Sequence, residues 1–234
     1  MNDLITSPIF GVIVSLIAYE FGTYIKKKGR LSIFNPLLIA IIILIFFLQK
    51  FHISYKDYNN GGQIISFFLF PATVALALPM YKKFALFKKN VVPILIGIFS
   101  GAISGFVCVV FFSELFGLTD LLTKSLIPKS ITTPIGIALS KQLGGLSSIT
   151  VVAIIMTGII GSIVGPVLYK ILKIKDKVAF GIAMGASSHA LGTARAMEIG
   201  ETEGAMSGLT MAISGVVTVL ICPFLWNLFL IMVK

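Results

Sequence analysis

The recurrence of long apolar runs constrains this chain more than any other feature of its sequence. The runs cover residues 8–24, 31–48, 63–80, 91–118, 146–172 and 205–233. At 1.5 Å per residue, a helix of about 20 residues crosses the ~30 Å hydrocarbon core of a bilayer, whereas barrel strands are shorter and alternate in polarity. Because no stretch between the runs could form a soluble domain, we expect an all-α polytopic membrane protein with about seven spans.

The basic charge of the chain is expected to orient it in the membrane. Lys and Arg number 19 against 9 Asp and Glu, and most of the cations lie beside apolar runs, at 26–30, 82–89 and 170–177. Such clusters mark the cytoplasmic side of membrane proteins, and their pattern does not resemble a nucleic-acid-binding groove. The sequence also lacks a P-loop and an HExxH motif. We therefore expect no enzyme activity, no cofactor, no metal site and no nucleic-acid partner.

The topology follows if the three basic clusters all face the cytoplasm. An even number of crossings must then separate the clusters, so the stretch 121–145 cannot cross the membrane. We expect it to dip in from the outer side, turn near Pro134 and return. The N-terminus is expected outside, with the first run retained because MNDLITS lacks the basic region of a cleaved signal. The C-terminus is expected inside, and the polar residues 50–62 are expected to form a loop.

Three short matches predict an internal duplication. They pair AISGFVCVV with AISGVVTVL, TVALAL with SHALGT, and TSPIFGV with TTPIGI, in the same order along the chain. We therefore expect two inverted repeats, residues 1–120 and 121–234, an architecture common among secondary transporters. The matches align the segment around Pro71 with residues 187–195, so both are expected to be broken helices. Glycines four residues apart in the fourth run, Gly97, Gly101 and Gly105, predict a face for close helix packing.

The polar passage 187–204, SSHALGTARAMEIGETEG, is the candidate functional region. It lies between two apolar segments, and the segment before it, 178–191, would form a helix of only about 21 Å. The passage is therefore expected to begin inside the membrane, although a bilayer tolerates ionisable groups at that depth only against protein or water.

A small anion is the expected ligand, because three cations, Lys129, Lys141 and Arg195, lie in or near the dip and the second broken helix. Arg195 would meet a carboxylate together with free amides at half-helix N-termini near Pro134 and Thr193. An unpaired cation at the centre of a span costs roughly 2.5 to 3.5 kcal/mol, so it should have a partner or a task. The predicted substrate-binding residues are Arg195, Ser187, Ser188, His189, Thr193, Lys129, Ser130, Thr132, Thr133 and Thr73.

Several of these residues also have a structural interpretation that the sequence leaves open. Arg195 could instead pair with Glu198, three residues on, in an outer loop. His189 and Glu198 are candidates for proton coupling, but His189 could equally be a hydrogen-bonded structural residue. Glu198, Glu201 and Glu203 together are typical of a solvated acidic face. Catalysis by the adjacent serine and histidine is not expected, because neighbouring helical residues point in different directions and no GxSxG elbow is present.

Two passages, PKSITTPIGIALSKQLGG and GASSHALGTARAMEIGETEGAMS, resemble the LrgB/CidB family of bacterial membrane proteins. The resemblance extends over nearly the whole chain and implies a multi-pass protein of the bacterial cytoplasmic membrane. It also implies two functional descriptions. One is transport of small monocarboxylates such as pyruvate, or glycolate and glycerate in the related plastid translocator.

The other description is an antiholin-like or holin-like regulator of murein hydrolases and autolysis that acts with a small LrgA/CidA-type membrane partner. The residues favour a secondary transporter, since broken helices and intramembrane cations are useful around a small anion. The regulator is the alternative, and its effect on autolysis could follow from carboxylate flux. A homo-oligomer is expected in either case.

Overall fold

The structure of the protein is a computed structural model that describes residues 6–29, 35–68, 71, 74–75 and 77–233. The described residues form helices joined by short turns, which confirms the all-α prediction. They fall into two compact units, Met1–Ala75 and Leu76–Lys234. A division into compact units does not test whether the two halves arose by duplication, so the repeat boundary after residue 120 stays a prediction.

The first unit contains α1 (Pro8–Gly29), α2 (Pro36–Lys50) and α3 (Tyr55–Phe67). α1 packs against both of the other helices. Close approach of α1 and α3 depends on Gly11 and Gly61, because a Cβ on either glycine would overlap backbone atoms of the other helix.

The structure corrects the prediction of a polar loop at residues 50–62. Ser54 caps the start of α3: its hydroxyl accepts a hydrogen bond from the Asp57 amide at 3.1 Å and donates to the Asp57 carboxylate at 2.6 Å. This reciprocal capping stabilises a helix start in a polar sequence. Gly61, within the predicted loop, lies inside the helix and provides the contact with α1.

The predicted first broken helix cannot be compared with the structure. Of residues 69–76 only 71, 74 and 75 are described, and Thr73 lies outside the described residues.

The second unit consists of eight α-helices and one 3-10 turn within its described residues. They are α4 (Ala77–Lys82), α5 (Phe84–Lys89), α6 (Val91–Leu115), α7 (Asp120–Leu126), the turn Ile127–Ser130, α8 (Thr133–Leu143), α9 (Ser147–Ile171), α10 (Lys177–Ile199) and α11 (Glu201–Val233). Together with α1, three of these helices, α6, α9 and α11, are long and apolar enough to span a bilayer. α2 is apolar but shorter. The described residues thus contain four candidate spans where the sequence predicts about seven spans.

Residues 120–143 form a hairpin, here called the first hairpin. Thr150 of α9 contacts both limbs of this hairpin. Its Oγ1 lies 2.8 Å from the Ser125 carbonyl oxygen and 2.7 Å from Ser140 Oγ. The two serines therefore lie side by side on opposite limbs. The chain folds back immediately before Pro134, where the sequence predicts it.

α10 doubles back on itself and forms the second hairpin. His189 has φ 40° and ψ −132°, a non-helical conformation that divides the helix into limbs 177–188 and 190–199. Phe180 of the first limb shares a buried cluster with Ala196 of the second. In a straight helix these two residues would lie about 24 Å apart. The predicted break in this passage is confirmed, but it reverses the chain and does not kink a crossing helix.

The second hairpin starts and finishes beside basic clusters: its first limb begins there, and its second limb ends there. Lys83 Nζ lies 3.6 Å from Glu201 Oε2, which joins the start of α11 to the cluster at 82–89. α10 begins at Lys177, the last residue of the cluster at 170–177. We call this side of the second unit the basic end. Residues 198–203 therefore lie at the basic end, because α10 does not cross. The alternative in which Arg195 pairs with Glu198 puts that pair in an outer loop, and the structure places it at the basic end instead.

α6 and α11 run in the same direction. Ile94 of α6 shares a buried cluster with Met206, near the start of α11, and Val109 shares another with Trp226, near its end. α11 therefore ends on the side opposite the basic end, so the prediction that the C-terminus shares a side with the basic clusters is wrong. The matched segments AISGFVCVV and AISGVVTVL lie on these parallel helices, which is incompatible with their pairing as an inverted repeat.

A different inversion is present within the second unit. α6 leads away from the basic end into the first hairpin, and α9 leads back to the basic end into the second hairpin. The two helix–hairpin pairs thus enter from opposite ends. This arrangement places two chain reversals deep inside one helical bundle.

Candidate functional site

The glycine face of α6 contacts both hairpins. A Cβ on Gly97 would meet Ile182, and a Cβ on Gly101 would lie 3.3 Å from Ala186 Cβ on the second hairpin. One turn further, a Cβ on Gly105 would lie 3.9 Å from Ser130 Oγ on the first hairpin. The predicted close-packing face is confirmed, and it brings the two hairpins to neighbouring turns in the middle of α6.

α9 contacts both hairpins on a second side. The Ile154 carbonyl accepts a 2.9 Å hydrogen bond from His189 Nε2–H, and the side chain of Ile154 reaches Gly136 on α8. Gly161 leaves room for Ser188, since a Cβ there would overlap the serine hydroxyl. The tips of the two hairpins therefore meet at mid-height between α6 and α9.

The tip of the first hairpin carries a cation and hydroxyl groups. Lys129 is half-buried, and its Nζ lies 3.4 Å from Ser130 Oγ. Within the described part of the chain, Lys129 forms no ion pair. Thr132 and Thr133 follow at the start of α8, also half-buried, and the Thr132 side chain makes no capping hydrogen bond to α8.

The tip of the second hairpin carries Ser187, Ser188 and His189. Ser187 is exposed, and its hydroxyl donates to the Ala183 carbonyl at 2.7 Å and lies 2.9 Å from Ser188 Oγ. Ser188 and His189 are buried. The His189 ring donates to the Ile154 carbonyl, which is the hydrogen bond expected of the structural alternative. Its roles in substrate binding and proton coupling stay predictions.

Both tips present the N-terminus of a half-helix. α8 begins directly after the first reversal, and the limb 190–199 begins directly after His189. The first amide groups of a helix have no partner within the helix, and the helix dipole adds partial positive charge there. Two such termini on contacting hairpins, together with a lysine that has no ion pair among the described residues, favour a bound anion.

Arg195 does not lie at the tips. It is six residues beyond His189, about 9 Å along the second limb towards the basic end, and it pairs with Glu198. This ion pair is the alternative to anion binding that the sequence leaves open for Arg195. Thr193, another predicted ligand, lies instead against α11, where its Oγ1 is 2.9 Å from Ser207 Oγ.

The solvated acidic face that the sequence predicts is present at two of its three glutamates. Glu198 and Glu201 are exposed, but Glu203 is only 5% exposed. Its side chain folds over Gly200, where a Cβ would overlap the carboxylate. The burial follows from the short connection at Gly200, which presses the first turn of α11 against the second hairpin.

A buried polar stripe on α11 was missed by the sequence analysis. Glu203 starts a series of polar residues at every third or fourth position, and all of them are less than a tenth exposed. This spacing places them on one helix face, which is the signal that would have revealed them within the apolar run. The stripe comprises Glu203, Ser207, Thr210, Ser214 and Thr218.

Comparisons with known proteins identify the family. Residues 15–228 match the model of the LrgB-like family. The chain is 42% identical over 218 residues to the Antiholin-like protein LrgB of Bacillus subtilis (strain 168), which covers 93% of this chain and 94% of the relative. It is 38% identical to the proteins of the same name from Bacillus mycoides (strain KBAB4) and Bacillus cereus (strain B4264). Each of these matches covers 93% of this chain and 95% of the relative. No solved structure matches this chain. Because the family model covers most of the sequence and these relatives are similar over nearly their whole length, the chain belongs to the LrgB-like family.

Proposed function

We propose that this protein has the antiholin-like role for which its relatives are named, and that its molecular activity is transport of small carboxylate anions. The names of the relatives favour the antiholin-like alternative over the carrier interpretation. The geometry of the two hairpins supports the carrier as the activity beneath that role. The proposed location is the bacterial cytoplasmic membrane.

The observation that carries the carrier proposal is the environment of Lys129. A half-buried ammonium without an ion pair among the described residues lies at the tip of the first hairpin, three residues before Thr132, which precedes α8, and this tip contacts the second hairpin. An unpaired cation in a membrane interior costs roughly 2.5 to 3.5 kcal/mol on insertion scales. A bound carboxylate offsets that cost, and the free amides and hydroxyls of the tips complete its hydrogen bonds.

The proposed ligand is small because both tips contact the same helices at neighbouring turns. Gly101 and Gly105 of α6 are one turn apart, and they contact different hairpins. The proposed ligand is therefore a two- or three-carbon carboxylate such as glycolate or pyruvate. In the proposed cycle, movement of the second hairpin opens the site to the basic end, and movement of the first opens it to the opposite end.

The carrier is tested in proteoliposomes with labelled pyruvate and glycolate. Saturable uptake without release of a trapped dye is expected of the purified protein. Lys129→Gln should raise KM about tenfold or more, since a hydrogen bond to a charged group contributes about 1.5–3 kcal/mol. Lys141→Gln, an exposed cation near the end of α8, is the matched control and should leave KM unchanged. Unaltered uptake by Lys129→Gln would remove this lysine from the site.

The second candidate is a regulator that works by assembly with a small LrgA/CidA-type membrane protein or with other copies of itself. The printed names of the relatives are the observation in its favour. It predicts changed autolysis or dye release without saturable uptake, and tolerance of Lys129→Gln. The same liposome experiment therefore separates the two candidates.

A further inference from the structure

The buried stripe on α11 connects the basic end to the hairpin tips. Glu203 lies in the first turn of α11, beside the Glu201–Lys83 pair that marks the basic end. Further along α11, a Cβ on Gly215 would lie 2.9 Å from the side chain of Ile135 in the first turn of α8. The neighbouring Ser214 is therefore at the height of the hairpin tips. Ser214 lies eleven positions beyond Glu203 on the helix, which corresponds to about 16.5 Å.

Two oxygens in this stripe have no hydrogen-bond partner among the described residues. They are Glu203 Oε2 and Thr210 Oγ1. Between them, Ser207 Oγ lies 2.9 Å from Thr193 Oγ1 of the second hairpin. Buried polar groups are nearly always satisfied, and an unsatisfied one needs a physical explanation.

The charged groups around Glu203 leave its carboxyl unpaired. α4 contributes Lys82, the adjacent Lys83 pairs with Glu201, and α10 contributes Lys177 and the Arg195–Glu198 pair. α6 has no titratable side chain between residues 91 and 107, and Lys141 of α8 lies on the limb that leads away from the tips. None of these groups forms an ion pair with Glu203 in the described part of the chain.

We propose that Glu203 is the proton-binding group that couples transport, and that Ser207, Thr210 and Ser214 connect it to the hairpin tips. This inference rests on the proposed carrier function. Burying an ionised carboxylate without a partner costs several kcal/mol, whereas the neutral acid avoids that cost. Glu203 Oε2 takes up a proton from water at the basic end, and a proton is released to water at the hairpin tips. Between them the hydroxyls of Ser207, Thr210 and Ser214 each accept one proton and give up their own, so each O–H bond formed is matched by one broken. One proton moves with one carboxylate, and the sum is electroneutral.

The test compares two modes of transport in proteoliposomes that contain the full chain. Counterflow, in which labelled pyruvate exchanges for internal pyruvate, needs no net proton movement. Accumulation driven by a pH gradient does: a gradient of about 1 unit supports up to about tenfold accumulation at a ratio of one proton per anion. Glu203→Gln should retain counterflow and lose the accumulation. Glu201→Gln, an exposed neighbour, is the matched control and should retain both.

The outcomes distinguish this inference from the carrier proposal. If the unaltered protein shows no counterflow, the carrier proposal fails and this inference fails with it. If counterflow is present and Glu203→Gln still accumulates pyruvate like the unaltered protein, only the assignment of Glu203 is overturned. Should Glu203→Gln fail to fold, Thr210→Val serves instead, because it keeps the shape of the side chain and removes the unpartnered hydroxyl. Thr210→Val should slow accumulation more than counterflow, and equal effects would overturn the path.

Discussion

At the scale of single residues, His189 determines where the second hairpin reverses. Its φ of 40° lies in the left-handed region, which residues with a Cβ rarely adopt. Such strain costs of order 1–3 kcal/mol and persists only where other contacts compensate. Here the compensating contact is the hydrogen bond from the ring to the Ile154 carbonyl. The ring of His189 therefore stabilises a backbone conformation that would otherwise suit glycine.

Two substitutions at His189 separate the backbone effect from the ring effect. His189→Ala loses the hydrogen bond and keeps the strain, whereas His189→Gly loses the same hydrogen bond and relieves the strain. We expect His189→Ala to be the less stable variant by about 1–2 kcal/mol. Thermal unfolding in detergent, followed by fluorescence of the single tryptophan, Trp226, measures the difference. A less stable glycine variant would mean that the backbone at this position is not strained.

At the scale of elements, the hairpins show both the success and the limit of sequence reasoning. The turn near Pro134 and the break near His189 could be predicted, because prolines, glycines and polar residues interrupt apolar runs that are too short to span. The return of the chain after Pro134 could also be predicted, but its reversal after His189 could not. Reversal of α10 depends on contacts between residues distant in sequence, such as Phe180 with Ala196, and no local pattern specifies them.

The set of residues at the tips could be predicted only in part for a similar reason. Hydroxyls and cations can be found in the sequence, so Lys129, Ser130, Ser187 and Ser188 were identified. Periodicity alone does not tell which face of a limb points to the other tip. Arg195 and Thr193 therefore received a role at the tips, although one pairs along its own limb and the other contacts α11.

The glycine faces of α6 and α9 provide a matched pair of substitutions. A Cβ on Gly161 would overlap the hydroxyl of Ser188, whereas a Cβ on Gly105 would make an ordinary contact with Ser130 Oγ at 3.9 Å. Gly161→Ala should therefore lower the free energy of unfolding by about 1–3 kcal/mol through overpacking. Gly105→Ala should be neutral or stabilising, since alanine favours a helix by about 1 kcal/mol over glycine. Urea or thermal unfolding of both variants in detergent measures the contrast, and equal stabilities would contradict the packing described for Ser188.

At the scale of the whole molecule, the reversal of α10 decides on which side of the membrane each end of the second unit lies. If the basic clusters face the cytoplasm, as cationic loops in bacterial membrane proteins do, the second hairpin enters from the cytoplasm and the first from outside. The two hairpins then give the site a separate gate on each side, which an alternating-access carrier requires. A chain with a straight α10 would have only the first hairpin and no such pair of gates.

Labelling from one side of the membrane tests this arrangement. In a chain with both native cysteines replaced by serine, single cysteines at Lys175, Thr202 and Lys141 report on the loop before α10, the start of α11 and the end of α8. A reversed α10 places Thr202→Cys on the same side as Lys175→Cys. An impermeant maleimide added to intact cells should therefore label Lys141→Cys, and it should not label Thr202→Cys or Lys175→Cys. In inverted vesicles the pattern should exchange. A straight, crossing α10 would instead put Thr202→Cys with Lys141→Cys, because an odd number of crossings would then separate residue 202 from residue 175. That result would also move Glu203 to the outer side, away from the cytoplasmic end of the proposed proton path.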